Sequence, residues 1–256
     1  MRRDDYTDMG GTGEAFLTTH WSLVEGAGST EEDRSRALID VLLKRYWKPV
    51  YCYLRRKGYD NEQAKDLTQG FFHRVVLGRS LIRKADPSKG RFRSFLLSAL
   101  NRYLISVHEA ETARKRIPQE KLVSLDVADV PELPAALTQL APEESFNYAW
   151  VSTLLEEVLA EVEATCRQRD LTVHWQVFQD RLLHPALRGT EPPTMQEICE
   201  RYGVAEPAQA SNMITTVKRL FQTALREQVR RSVVSEAQVV EELEEIGQFS
   251  HGSFAR

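Results

Sequence analysis

Apolar residues in this chain recur at the three- and four-residue spacing of an α-helix, and this period constrains the fold more than any other feature. The spacing begins near residue 29 and returns in one segment after another along the chain. No run alternates apolar and polar residues as a half-buried strand does, and no internal repeat of fixed period is visible. The sequence therefore predicts an all-α protein.

Breaks between the helical segments predict two helical domains joined by a proline-containing linker. Four prolines and scattered acidic residues mark the linker at residues 117–145. The expected parts are a flexible N-terminus, a helical domain, the linker, a second helical domain and an acidic C-terminal tail, at residues 1–15, 16–116, 117–145, 146–234 and 235–256.

Local signals place the helices of the first domain. Pro49 suits the first turn of a second helix, which would follow one that starts near residue 29 and end at Gly58. Asp60 and Gln63 have the spacing of a capping box, so a third helix is expected over 61–77. Its expected buried side chains are Ala64, Leu67, Phe71 and either Phe72 or Val75.

A long helix is expected over 92–114, with inward positions at Phe95, Leu96, Ala99, Leu100, Tyr103 and Leu104. Its other face carries Arg91, Arg93, Asn101 and Arg102. In the second domain the period predicts helices over 146–168 and 171–183. A break follows at Pro185, Gly189, Pro192 and Pro193.

Charge is distributed unevenly although the net charge is only −3. Residues 1–125 hold 23 Lys and Arg against 16 Asp and Glu, and residues 126–256 hold 11 against 21. Most of the positive excess lies in residues 79–121, with 11 basic and 4 acidic side chains. A concentrated basic segment is typical of proteins that follow a phosphate backbone, and a solvated helix face gives the same pattern.

The most specific local pattern lies after the break at Pro193. Thr194 and Glu197 form a capping box, Gly203 ends a short helix, and Pro207 opens a longer one. The longer helix has a core stripe at Ala210, Ile214, Val217, Phe221 and Leu225. Its opposite face carries Ser211, Asn212, Thr215, Lys218, Arg219 and Gln222. A short helix, a glycine turn and a helix with a polar and basic face predict a helix-turn-helix that binds DNA; an ordinary helical hairpin is the alternative.

Two stretches of the N-terminal half resemble region two of bacterial RNA polymerase sigma factors of the extracytoplasmic-function (ECF) type. The sharper match is Asp66-Leu67-Thr68-Gln69-x-Phe71-Phe72, which follows the stretch at residues 43–58. Two further stretches, residues 18–24 and 90–96, are similar to the ECF-like branch expanded in planctomycetes. The C-terminal helix pair stands where region four of that family stands, so the resemblance covers residues 16–232 in the family's order.

The resemblance implies a sigma factor that binds core RNA polymerase and directs promoter recognition at the −10 and −35 elements. It implies polymerase binding by Asp66, Leu67, Gln69 and Phe72. It implies −10 contacts by Lys84, Lys89, Arg91, Arg93, Asn101 and Arg102. It implies −35 contacts by Gln209, Ser211, Asn212, Thr215, Lys218 and Arg219. The implied partners are core RNA polymerase and promoter DNA, with room for an anti-sigma factor or another regulatory protein.

One departure from the family keeps other functions open. Family members show Arg-Asn in the long helix, followed by an acid, whereas this chain has Asn101-Arg102 and then Ser106. A sigma-like regulator that binds polymerase without melting DNA is therefore one alternative. A helix-turn-helix repressor is the other, and it would be a symmetric dimer on palindromic half-sites.

No pattern for catalysis, metal or cofactor binding is present. The six histidines form no HxxxH or HExxH, and the three cysteines form no CxxC pair. No apolar run reaches the roughly 18–20 residues of a membrane span. We therefore expect no enzymatic activity, no cofactor, no metal, no membrane partner and a cytoplasmic location.

The C-terminal tail, residues 235–256, has five acidic residues and one basic residue, with Val239, Val240, Leu243 and Ile246 on one side. Two interpretations remain for it. Either it regulates, by folding back on a basic surface or docking on another protein, or it is a frayed helical end.

Overall fold

The computed structural model describes residues 31–77, 92–114, 139–230 and 236–254. Every regular element in these ranges is helical and none is a strand, which confirms the all-α prediction. The α-helices are α1 Glu31–Arg56, α2 Asn61–Phe71, α3 Phe92–Arg114, α4 Pro142–Gln168, α5 Thr172–Phe178, α6 His184–Arg188, α7 Met195–Tyr202, α8 Pro207–Arg230 and α9 Glu236–Phe254. Two π-helical segments, Phe72–Leu77 and Gln179–Leu183, continue α2 and α5. The expected N-terminal segment and most of the expected linker lie outside the described residues.

The chain divides into two compact units. Of the described residues, those up to Trp150 belong to unit 1 and those from Val151 onward belong to unit 2. Helix α4 therefore contributes its first turns to unit 1 and the remainder to unit 2.

Helix α1 is one continuous helix, so the prediction of two helices meeting at Pro49 is wrong. Proline removes a backbone donor and usually breaks a helix interior. Here the side chains at Leu42, Tyr46, Val50 and Leu54 are all at most 2% exposed, on both sides of the proline. Burial of one continuous stripe outweighs the local cost of Pro49, because tertiary packing overrides intrinsic preference.

Glycine and capping signals between α1 and α2 are confirmed. Gly58 has φ +96°, its N–H donates to Arg55 O, and the Tyr59 N–H donates to Leu54 O. This is the Schellman arrangement, which satisfies the last carbonyls of α1. At the start of α2, Asp60 accepts a hydrogen bond from the Gln63 N–H at 2.8 Å, and the Gln63 side chain accepts from the Asp60 N–H at 3.2 Å.

Helix α2 packs on α1 and α3 through its buried side. Ala64, Phe71 and Phe72 are buried as predicted, whereas Leu67 is only half-buried and Thr68 is buried in its place. The Thr68 hydroxyl donates to Ala64 O at 2.6 Å, so this polar group is satisfied within the helix.

Helix α3 has the predicted bounds, with Leu96, Ala99, Leu100 and Leu104 buried. Helix α4 begins at Pro142, four residues before the expected start, because proline is well suited to the first helical position. The Glu144 carboxylate also accepts a hydrogen bond from the Ala141 N–H at 2.9 Å and so caps this end.

The second break is shorter than predicted. The helical stretch that starts at Thr172 continues through Pro185 to Arg188. It ends at Gly189, whose φ of +62° lies in the left-handed region that favours glycine. Pro185 lies within the first two positions of α6, directly after the π-helical segment.

Gly70 allows the close approach of α2 and α3. A Cβ atom at this position would overlap the hydroxyl of Tyr103, whose ring packs edge-on against Phe71 with centroids 5.7 Å apart. The contact with Phe71 limits how far the Tyr103 ring can move aside. A Cβ atom at position 70 would therefore force the Tyr103 hydroxyl to shift.

We expect Gly70→Ala to lower the free energy of unfolding by about 1–2 kcal/mol, because the overlap outweighs the helix preference of alanine. Tyr103→Phe removes the overlapping oxygen and should cancel that loss. Gly247→Ala in α9 is the matched control, since a Cβ there meets no atom within 4 Å, and it should stabilise slightly. Chemical denaturation of the variants measures these differences, and equal losses with and without Tyr103→Phe would contradict the explanation.

Candidate nucleic-acid interface

Helix α7 is short and capped at both ends by its own residues. Thr194 Oγ1 accepts a hydrogen bond from the Glu197 N–H at 3.3 Å, and the Glu197 carboxylate accepts from the Thr194 N–H at 2.7 Å. The capping box predicted from sequence is thus confirmed. These bonds lower the pKa of the exposed Glu197 carboxyl.

The turn between α7 and α8 depends on one glycine. Gly203 has φ +63°, a conformation that side chains other than glycine rarely adopt. The next residue, Val204, is buried, and its N–H donates to Cys199 O at 3.0 Å. Pro207 then opens α8, as predicted.

One face of α8 is buried against α5, α7 and α9. Ala210, Ile214 and Val217 are buried as predicted, Phe221 and Leu225 are half-buried, and Ala224 and Val229 complete the stripe. The opposite face is exposed at every predicted contact position, namely Gln209, Ser211, Asn212, Thr215, Lys218 and Arg219, and Gln222 on the same face is exposed too. Lys218 and Arg219 form no ion pair with another described residue, so both charges face solvent.

A carboxylate that the sequence analysis did not single out anchors α7. Asp180, in the π-helical segment, accepts hydrogen bonds from Arg201 Nη1 at 2.6 Å and Tyr202 Oη at 2.7 Å, and His184 Nδ1 lies 3.1 Å away. Arg201 and Tyr202 are the last two residues of α7. The i,i+4 spacing of Asp180 and His184 is the only local signal of this cluster.

The cluster shifts the pKa values of its members in opposite directions. The hydrogen bond from Tyr202, with those from Arg201 and His184, lowers the pKa of Asp180 despite partial burial. Burial, followed by the hydrogen bond to Asp180, raises the pKa of Tyr202 to about 12. Both shifts favour the pair of a carboxylate and a neutral phenol.

The residues assigned to polymerase binding do not form one exposed surface. Asp66 is exposed, and Leu67 and Gln69 are half-buried on α2. Phe72 is 1% exposed and packs edge-on against Phe71, so it does not lie on a surface that a partner can reach. Its assignment as a docking residue is therefore corrected: Phe72 supports the core beneath α2.

Arg93 is buried, which corrects its assignment to the exposed face of α3. Its side chain is 4% exposed, and its guanidinium carbon lies 4.7 Å from the centre of the Trp150 ring. This is a cation–π contact within unit 1, and it offers a buried cation a compensating partner. Arg93 is not placed to contact DNA in this structure.

Asn101 and Arg102 differ in what they offer to a ligand. The Tyr53 hydroxyl donates to Asn101 Oδ1 at 2.7 Å and lies 3.4 Å from Glu143 Oε1. Asn101 is therefore partly buried and engaged in packing, whereas Arg102 is exposed and forms no ion pair with another described residue. The other −10 assignments, Lys84, Lys89 and Arg91, lie outside the described residues.

The acidic tail forms a helix, α9, that packs on α8. Val239 and Ile246 are buried as an apolar stripe, Leu243 is half-buried, and Glu242 is buried between them. Val240 is 47% exposed and does not belong to that stripe. The frayed-end interpretation is wrong for residues 236–247, because this part of α9 contributes to the core of unit 2.

Within the described ranges, no helix is both long enough and apolar enough to cross a membrane. The same ranges contain no group of three or more His, Cys, Asp or Glu side chains arranged to hold a metal ion.

Comparison with known proteins gives no match, whether to protein-family models, to curated proteins or to solved structures.

We expect Tyr202→Phe to lower the free energy of unfolding by about 1–2 kcal/mol at neutral pH, since it removes a hydrogen bond to a charged acceptor. The pKa of Tyr202 is higher in the folded chain than its ordinary 10.0, so its contribution to stability is lost as the pH rises from 10.0 to about 12. Denaturation should therefore show that the free energy of unfolding falls less between neutral and high pH for Tyr202→Phe than for the wild type. Parallel losses in the two proteins would contradict the assignment.

Proposed function

We propose that this chain is a sigma factor of the ECF type, which binds core RNA polymerase and directs promoter recognition. The observation that carries the proposal is the pairing of α7 with α8. A short capped helix, a left-handed glycine turn and a helix with one buried and one polar, basic face are the parts from which a helix-turn-helix reads the major groove. The resemblance of residues 43–72 to region two supports polymerase as the partner.

The chemistry of the exposed α8 face suits duplex DNA. Asn212 can pair bidentately with the N6 and N7 atoms of adenine, and Thr215 can contact a thymine methyl group. Lys218 and Arg219, one turn further along, are exposed cations with no ion-pair partner among the described residues, and they can reach phosphates. We accordingly propose an upstream element that contains A·T pairs.

A location in the cytoplasm and the absence of catalytic activity belong to the same proposal, because a sigma factor works on polymerase and DNA without chemistry of its own. The repressor alternative differs in symmetry, since it requires a dimer on palindromic half-sites. Sedimentation of the chain with core RNA polymerase distinguishes the two: a one-to-one complex supports the sigma factor, and a homodimer that ignores polymerase supports the repressor.

One observation favours a second candidate, a sigma-like regulator that binds polymerase without melting promoter DNA. Arg93 is buried over Trp150, and Asn101 accepts the hydrogen bond of Tyr53. Two of the groups assigned to the melted −10 strand are therefore engaged within unit 1. A permanganate footprint of the polymerase complex on its promoter separates the candidates, because only a sigma factor makes unpaired thymines reactive.

We expect the double variant Asp66→Ala and Leu67→Ala to weaken binding to core polymerase by roughly tenfold, because Asp66 is exposed and Leu67 is half-buried within the matching motif. Phe72 is left unchanged, since truncating a buried phenylalanine costs about 3–5 kcal/mol and would disturb the fold. Glu62→Ala, also exposed on α2, is the control. Wild-type affinity of the double variant in a pull-down would remove the polymerase assignment from α2.

Asn212→Ala and Lys218→Ala should weaken DNA binding in different ways. Asn212→Ala should cost about 1–3 kcal/mol at one base pair and relax the preference there. Lys218→Ala should weaken all sequences about equally and reduce the slope of log affinity against log salt by about 0.9. Binding to a library of upstream elements at several salt concentrations measures both effects, and a uniform loss for Asn212→Ala would show that it reads no base.

A further inference from the structure

Threonine hydroxyls on α8 are turned back onto the helix backbone. Thr215 Oγ1 donates to Ser211 O, Thr216 Oγ1 to Asn212 O and Thr223 Oγ1 to Arg219 O, each at 2.9 Å. A hydroxyl has a single proton, so none of these groups has a donor left for a ligand. The exposed face is thus poorer in hydrogen-bond donors than its composition indicates.

Because its hydroxyl is bonded to the helix backbone, Thr215 presents its methyl group to a ligand. The residue is exposed, and the hydrogen bond to Ser211 O holds its hydroxyl against the helix. Because both branches leave the same Cβ, a bond that fixes the hydroxyl also fixes the methyl group. The side chain is therefore a rigid apolar contact on an otherwise polar surface.

The position of Thr215 matches that of a base reader. It lies three residues after Asn212 and three before Lys218, on the same exposed face. Thr223 has the same bond and exposure but lies eight residues further on, about 12 Å along the axis. Residues near the start of a recognition helix reach the base edges, and those near its end do not.

We infer that Thr215 recognises the 5-methyl group of a thymine, so the upstream element contains a thymine at one defined position near the adenine that Asn212 contacts. The inference rests on the proposed function and specifies its DNA substrate. Thymine is the only unmodified base with an apolar group in the major groove, so a fixed methyl discriminates it from cytosine without any hydrogen bond. A Thr215 hydroxyl that accepts a hydrogen bond from a base is the competing explanation.

The test replaces each thymine of the upstream element by deoxyuridine, which removes only the 5-methyl group. The full chain is bound to core RNA polymerase, its preferred element is selected from a random duplex library, and affinities are measured for the singly substituted duplexes. We expect a loss of about fourfold at one position, the value for one methyl group removed from contact.

Variants at position 215 separate the two explanations. Thr215→Ser keeps the hydroxyl and loses the methyl group, so it should bind the thymine and deoxyuridine duplexes equally. Thr215→Val keeps a methyl group and should still bind the thymine duplex more tightly than the deoxyuridine duplex. Thr223→Ser is the matched control and should behave as the wild type.

Two failures are distinguishable. Selection without any enriched element would overturn both the proposed function and this inference. The inference alone would be overturned if an element is enriched but its affinity does not fall when deoxyuridine replaces thymine. The same holds if that fall in affinity is equal for the wild type and Thr215→Ser. Sequence-specific binding would remain in place in both cases.

Discussion

Burial of one face of α8 is the constraint on which unit 2 depends. Ala210, Val217 and Val229 are fully buried, and α8 contacts α5, α7 and α9. Each buried valine contributes roughly 1.5–3 kcal/mol, so rotating the helix would cost several such terms at once. That packing fixes the rotation of α8 about its axis. It therefore decides which side chains are exposed, although none of the exposed side chains contributes to it.

Polar contacts then restrain the end of α7, which apolar packing alone leaves adjustable. Asp180 connects the π-helical segment to the last turn of α7, through bonds of 2.6 and 2.7 Å to Arg201 and Tyr202. Charge-assisted hydrogen bonds are directional, unlike the hydrophobic contacts around them. Because the same turn leads through Gly203 into α8, the carboxylate restrains the end of α7 from which the turn starts.

In unit 1, two polar residues that were predicted to contact DNA form contacts within the fold. Arg93 lies on Trp150, and Asn101 accepts a hydrogen bond from Tyr53. Arg102, adjacent to Asn101 in the sequence, is exposed. A helix turns about 100° per residue, so neighbours in an Asn-Arg pair face different surroundings. In this chain it is therefore Arg102, and not Asn101, that is exposed to a ligand.

Signals that act within a few residues were predictable from the sequence, because both partners lie in one short segment. The capping boxes at Asp60 and Thr194 and the left-handed turns at Gly58 and Gly203 are of this kind, and so is the exposed face of α8, which follows from its period.

Only the tertiary structure decided the continuity of α1 through Pro49 and the burial of Arg93. The same holds for contacts between residues far apart in sequence, such as Tyr53 with Asn101, 48 positions apart, and Asp180 with Arg201, 21 positions apart. Periodicity shows on which face of a helix a side chain lies. The partner that covers this face belongs to another element, so their contact stabilises the chain only after folding has brought the two elements together.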